Sequence, residues 1–256
     1  MKTTKTISAL LIFMGIINCT IAQDVPPPSA PVNEGTPPSG YFEIGIGAAE
    51  PINSFAREVG PSYGGYALPG ANLNISFGIP IAHSNFGVAL MYNYAWNFHD
   101  INSYVDNIQV TDQSNTYMPL GQDVYRESFI LGGLFVTIPL QRVSFDFRLM
   151  GGLAICALPE VDYGADATSP TASQNFEWDT YNSTSTSFAS DLGMNIRFRI
   201  YRTSIMADID YLYADPMVNT TQQYTDQFGN STFSHIGGML PISIMSYSIG
   251  IGYQFW

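Results

Sequence analysis

Lysine is confined to the first five positions: Lys2 and Lys5 are the only two in 256 residues. Cysteine is as scarce, with Cys19 and Cys156 alone. Charged residues make up 12% of the chain, about half the ~25% usual in soluble domains. Beyond the N-terminal segment no run is long and apolar enough for a spanning helix. Each scarcity excludes something. A formal charge of −12 with so few basic side chains argues against a nucleic-acid partner. One thiol beyond the N-terminal segment closes no internal disulfide, so cysteine usage is silent on redox compartment. Few charges beside 14% aromatics and a mean hydropathy of +0.06 are odd for a soluble enzyme. They are ordinary for a membrane barrel, where alternate residues meet lipid.

The N-terminus has the form of an export signal. Lys2 and Lys5 give a positive start, Ile7 to Ile17 a short apolar stretch, and Thr20-Ile21-Ala22 a small-residue cleavage site. Residues 1–22 are therefore expected to be a signal peptide, with secretion through the inner membrane. Asn18 before Cys19 fits a lipoprotein site poorly. The remaining chain has seven arginines against 21 acidic groups, a net charge of −14. A Pro-rich leader, "DVPPPSAPVNEGTPPSG", fills most of 23–40. It reads as an extended tether or as a docking strip for a protein.

From Tyr41 onward, apolar and polar residues alternate in eight segments: 41–48, 70–79, 85–96, 125–137, 143–156, 187–200, 203–213 and 242–255. No stretch holds a capped helical period well enough to compete. The links between segments alternate strictly. "PIAHSN", "PLQR" and "YRT" are short, whereas 49–69, 97–124, 157–186 and 214–241 are long. This predicts an all-β, eight-stranded antiparallel up-and-down transmembrane barrel over 41–256. Its short turns would be periplasmic and its long loops extracellular. Leu73, Ile75, Phe77 and Ile79 share an outward face, as do Leu192, Met194, Ile196 and Phe198. Tyr92, Tyr94, Trp96, Tyr211 and Tyr213 would form the outer aromatic girdle. Phe42, Phe145, Phe147, Phe198, Tyr253 and Phe255 would form the inner one.

The chain closes on "SIGIGYQFW". Ser248, Gly250, Tyr253 and Phe255 match the C-terminal signal of outer-membrane barrels: a polar residue, Gly two later, and aromatics three and five beyond it. Trp256 is one residue extra. With the eight segments, this makes 41–256 similar to small eight-stranded outer-membrane barrels of the OmpA/OmpX type, including PorT-like barrels. The resemblance implies contact with outer-membrane lipid, and with the barrel-assembly machinery during biogenesis. It brings no cofactor and no metal.

Glu43, Asp146, Arg148, Asp191, Arg197, Arg199, Asp208 and Asp210 have inward parity, mostly near the short turns. Eight strands leave a lumen that side chains fill, so these groups are expected to form a charge-paired plug. A small gated conductance is the rival. With Tyr201-Arg202 as a tight turn, Arg197 falls diagonal to Asp208. His99, Asp100 and His235 near the loops raise a rim enzyme acting on lipid or peptide. His83 reads as a turn residue and Cys156 as a small buried one. Glu160, Asp162 and Asp166 lack calcium-loop spacing, and "GIGAAE" lacks a dinucleotide fingerprint. Asn182, Asn219 and Asn230 spell glycosylation acceptors in polar loop text. The loops interleave acids with aromatics such as Tyr104, Tyr117, Phe228 and Phe233. That suits a partner-binding surface. The expected role is a structural or accessory barrel that binds a protein through its loops or leader, with no catalytic residues.

Overall fold

A computed structural model describes residues 40–57, 65–82, 84–111, 115–167, 176–180, 183–226 and 228–255. The expected signal peptide, nearly all of the leader, His83, Asn182 and Trp256 lie outside these described residues. In chain order the elements are β1 (Gly40–Pro51), β2 (Ala67–Pro80), β3 (Phe86–His99), α1 (Ile101–Thr111) and β4 (Asn115–Gln122). Next come β5 (Tyr125–Leu140), β6 (Val143–Ala157), β7 (Val161–Ala167), β8 (Phe176–Thr180) and β9 (Thr184–Ile200). β10 (Thr203–Ala214), β11 (Met217–Thr225), β12 (Ser231–Met239) and β13 (Ile242–Phe255) complete the chain.

Eight of these strands close a barrel in the order β1-β13-β10-β9-β6-β5-β3-β2, and every pairing is antiparallel. They are the eight alternating segments of the sequence. Alternation makes them strands because successive side chains leave on opposite faces. Ile46, Leu90, Leu134, Leu149, Leu192 and Ile249 point outward and are each more than 60% exposed. An apolar band of that extent is untenable in water and suits hydrocarbon. The barrel strands have 12–17 residues, more than the ~9–11 a bilayer needs. Most of the added length is at the long-loop end, where β2, β3 and β9 overrun the expected segments by three residues each.

The long connections are more ordered than expected. β4, β7, β8, β11 and β12 form a second antiparallel sheet in the order β12-β11-β8-β7-β4. α1 corrects the expectation that no helix competes. Asp100 caps it, accepting from the Ser103 backbone N–H at 3.1 Å and from the Ser103 hydroxyl at 2.8 Å. Ile101, Val105 and Ile108 then form one apolar stripe, which packs with Val161 and Tyr163 of β7 and Tyr117 of β4.

Candidate functional site: a sealed lumen and a loop-built sheet

The short-turn half of the lumen holds two arginines in separate clusters. Arg148, on β6, reaches Asp208 and Asp210 of β10 through Nη2, at 2.7 Å to each. Asn74 donates to the other oxygen of Asp210 at 3.1 Å. Gly193 makes room for this cluster. A Cβ there would collide with Asp210 Oδ1 and lie 3.3 Å from Arg148 Nε and Asp191 Oδ2. Nearer the turns, Arg197 pairs with Glu43 at 2.8 Å and with Asp146. Its guanidinium stands 4.0 Å from the centre of the Tyr41 ring, a cation–π arrangement. Asn195 and Ser76 donate to Glu43 at 2.9 and 3.2 Å, and Thr137 donates to Asp146 at 2.6 Å.

The partners differ from the diagonal read off the hairpin. β9 and β10 place Arg197 opposite Met206 and Asp208 opposite Asn195, so the diagonal register holds. The ion pairs nevertheless run elsewhere: Arg197 reaches across the lumen to Glu43 on β1 and diagonally to Asp146 on the neighbouring β6, while Asp208 belongs to Arg148. Closure sets strands distant in sequence face to face across a narrow bore. Asp191 is buried beside this cluster without a hydrogen-bond partner among the described residues. Arg199 is half-buried at the short-turn mouth and makes no ion pair among the described residues.

The long-loop half is a different seal. Ala49, Ala95, Ala154, Ala189, Leu212 and Ile244 are all buried there. Phe55, from the β1–β2 connection, stacks edge-on to Tyr125 with ring centres 5.0 Å apart, and the Tyr125 hydroxyl donates to the Gly65 carbonyl at 2.5 Å. Ile52 N–H donates to the Ser243 carbonyl at 2.9 Å, pinning the connection to β13. A polar belt of Asn72, Asn74, Asn93 and Ser246 lies between the two seals. Sequence reasoning passed over this belt and over Glu127, which is fully buried with neither carboxylate oxygen hydrogen-bonded among the described residues. Their strand parity was the available signal: Glu127 alternates with Phe129 and Leu131, both inward.

Among the described residues, His99, Asp100 and His235 each have separate local contacts. His99 is 5% exposed and sits among the rings of Tyr66, Tyr104 and Tyr125, at 5.8–6.2 Å. Both Asp100 oxygens serve the α1 cap. His235 lies on exposed β12, with its Nδ1 3.1 Å from the Thr221 hydroxyl. Among the described residues, no group of three or more His, Cys, Asp or Glu is placed to hold a metal. Cys156 is buried.

The terminal residues lie on β13. Ser248 faces inward, opposite Asp208 on β10 and Gly47 on β1. Gly250 allows close approach to β1, since a Cβ there would overlap the Ile44 carbonyl oxygen. Tyr253 is exposed on the wall, and Phe255 stacks on Phe77 at 5.6 Å.

Among the described residues, β12 is an edge strand of the second sheet. β12, "STFSHIGGM", has no acidic, lysine or arginine side chain, and neither does its neighbour β11, "MVNTTQQYT". Phe233 and Met239 on β12 share a face with Met217 on β11, each about 60% exposed. Soluble proteins blunt such edges with charge, proline or a bulge.

No protein-family model matches the chain, and no curated protein matches it. Among solved structures it is similar to a major outer membrane protein from Thermus thermophilus, with 13% identity, a TM-score of 0.43 and coverage of 84% of this chain and 99% of that one. Neisserial surface protein A gives 14%, 0.40, 84% and 97%. The outer membrane protease OmpT of Escherichia coli gives 8%, 0.43, 86% and 98%. Closure of the barrel rests on the chain's own strand pairing.

Proposed function

We propose that this chain is an outer-membrane barrel, with short turns in the periplasm and long connections outside, that binds a protein partner through the loop-built sheet. The uncharged edge of β12, unpaired among the described residues, is the observation behind this reading. A strand edge offers a row of backbone donors and acceptors to an extended segment of another chain. Phe233, Met217 and Met239 add apolar contact beside it. The lumen supports the same reading, because charge pairs fill one half and apolar side chains the other. Chemistry at the rim has little support, with His99 enclosed and Asp100 engaged in capping.

The test is capture of partners in mild detergent, followed by mass spectrometry. Parent protein is compared with a variant lacking 215–241 and with Thr232→Lys/Ser234→Lys. The parent should retain a reproducible partner that both variants lose while still folding as heat-modifiable barrels. A partner retained by both variants refutes the edge assignment. Absence of any partner, together with a lipid or peptide modification lost in His99→Ala, points to the rim enzyme instead.

A further inference from the structure

Seven arginines follow residue 22, and three have acidic partners among the described residues: Arg126 with Asp123, Arg148 with Asp208 and Asp210, and Arg197 with Glu43 and Asp146. Arg57 lies in the β1–β2 connection. The other three, Arg142, Arg199 and Arg202, gather at the short-turn end. Arg142 and Arg202 are each the second residue of a two-residue turn and are exposed. The first residues of those turns, Gln141 and Tyr201, have φ of 50° and 58°, as a tight hairpin demands at that position. Both turns are therefore fixed in shape. The Arg199 backbone N–H donates to the Arg142 carbonyl at 2.7 Å, joining the end of β9 to the β5–β6 turn. The Arg202 carbonyl accepts from Gln254 N–H at 2.7 Å, joining the next turn to β13.

Two further facts give this end its character. Stretches 81–85, 141–142 and 201–202, the three short turns, contain no acidic residue. The apolar wall also runs up to the arginines: Leu140, Phe198 and Ile200 are more than 40% exposed and Tyr201 is 94% exposed. A chain with a large excess of acid thus concentrates cationic side chains, without acidic partners among the described residues, where its hydrocarbon-facing band stops. Lipid phosphates lie at that depth. The planar guanidinium binds phosphate through paired N–H donors and stays charged at any working pH.

We propose that Arg142 and Arg202, on the two exposed turns, form a binding site for the phosphate headgroup of an anionic phospholipid in the periplasmic leaflet, with Arg199 inside the lumen mouth adding positive potential behind them. The assignment rests on the membrane reading above, but not on the external partner.

The experiment uses the full chain refolded into vesicles of phosphatidylcholine with a minor fraction of phosphatidylglycerol. Lipid retained after mild extraction is read by native mass spectrometry. The parent should enrich phosphatidylglycerol over phosphatidylcholine. Each turn arginine replaced by glutamine should lower that enrichment about fivefold. Arg142→Gln/Arg202→Gln alters only exposed turn side chains and should lower the enrichment most, whereas Arg199→Gln, inside the lumen mouth, should lower it less than either turn variant. Equal enrichment in parent and double variant overturns the proposal. So does displacement of the lipid by millimolar inorganic phosphate, which would mark a free-phosphate site, or preferential retention of muropeptides, which would mark a cell-wall contact. Heat-modifiable migration is scored in every sample. A parent that never inserts contradicts the membrane reading, whereas one that inserts without enrichment contradicts the headgroup site alone.

Discussion

Replacing Arg148 with methionine removes the cation of the mid-lumen cluster and keeps most of its bulk. Arg148 and both partners are almost fully buried, and both contacts are 2.7 Å. Asp208 and Asp210 would then stand side by side on β10 without their cation, with Asp191 nearby and Asn74 as the remaining donor to Asp210. Breaking a buried pair from one side costs about 3–5 kcal/mol, mostly because the remaining charge has no compensation. That is about two to four powers of ten in the folding equilibrium. A triple variant, Arg148→Met/Asp208→Asn/Asp210→Asn, removes cation and anions together and should recover most of the loss, since a buried ion pair is worth little net. The assay is denaturant unfolding in lipid vesicles, followed by heat-modifiable migration and tryptophan fluorescence. If Arg148→Met lies within about 1 kcal/mol of the parent, or if the triple variant is the weaker of the two, the reasoning is refuted. Gly193→Ala should move stability in the same direction as Arg148→Met, because its methyl group displaces Asp210.

Planar bilayers holding the parent protein should show no steady conductance, and a stable ohmic pore would favour a small porin. Deleting Phe255 and Trp256 should lower membrane levels of folded barrel, since it removes the Phe77 stack and part of the terminal signal; unchanged levels on immunoblots would refute this. Burial, with Tyr66 adding, raises the Tyr104 phenol above its ordinary 10.0; burial, with Tyr104 and Tyr117 adding, raises that of Tyr163. Stability from a raised phenol is complete below the unfolded value and lost as pH climbs through the folded one. Protease cleavage within 101–111 should therefore begin only above about pH 10, with the barrel intact; cleavage there at neutral pH would contradict the packing of α1.

The eight barrel strands were legible because lipid and lumen impose opposite demands on alternate residues, which writes the strand into the text. Loop lengths gave the direction of travel. The lumen charges were legible as a set but not as pairs. Arg197 and Glu43 are 154 positions apart, and only closure of β1 on β13 brings their sides of the barrel together. The second sheet escaped notice for a different reason. Most of β11 is half-buried on both faces alike and β12 is exposed at its described positions, so no one-sided burial forces a period of two on "MVNTTQQYT" or "STFSHIGGM". α1 did leave a signal, in Asp100 as cap and the 101, 105, 108 apolar spacing, which the surrounding polar residues obscured.

The most direct test places a photo-crosslinking amino acid in living cells at Thr232, Ser234 and His235 on β12, and at Leu90 and Leu149 on the barrel wall for comparison. The account predicts a discrete protein adduct from the β12 positions, absent from the wall positions and abolished when neighbouring edge residues become lysine. Adducts only from the wall, or none from β12 while the partner still co-purifies, would contradict it.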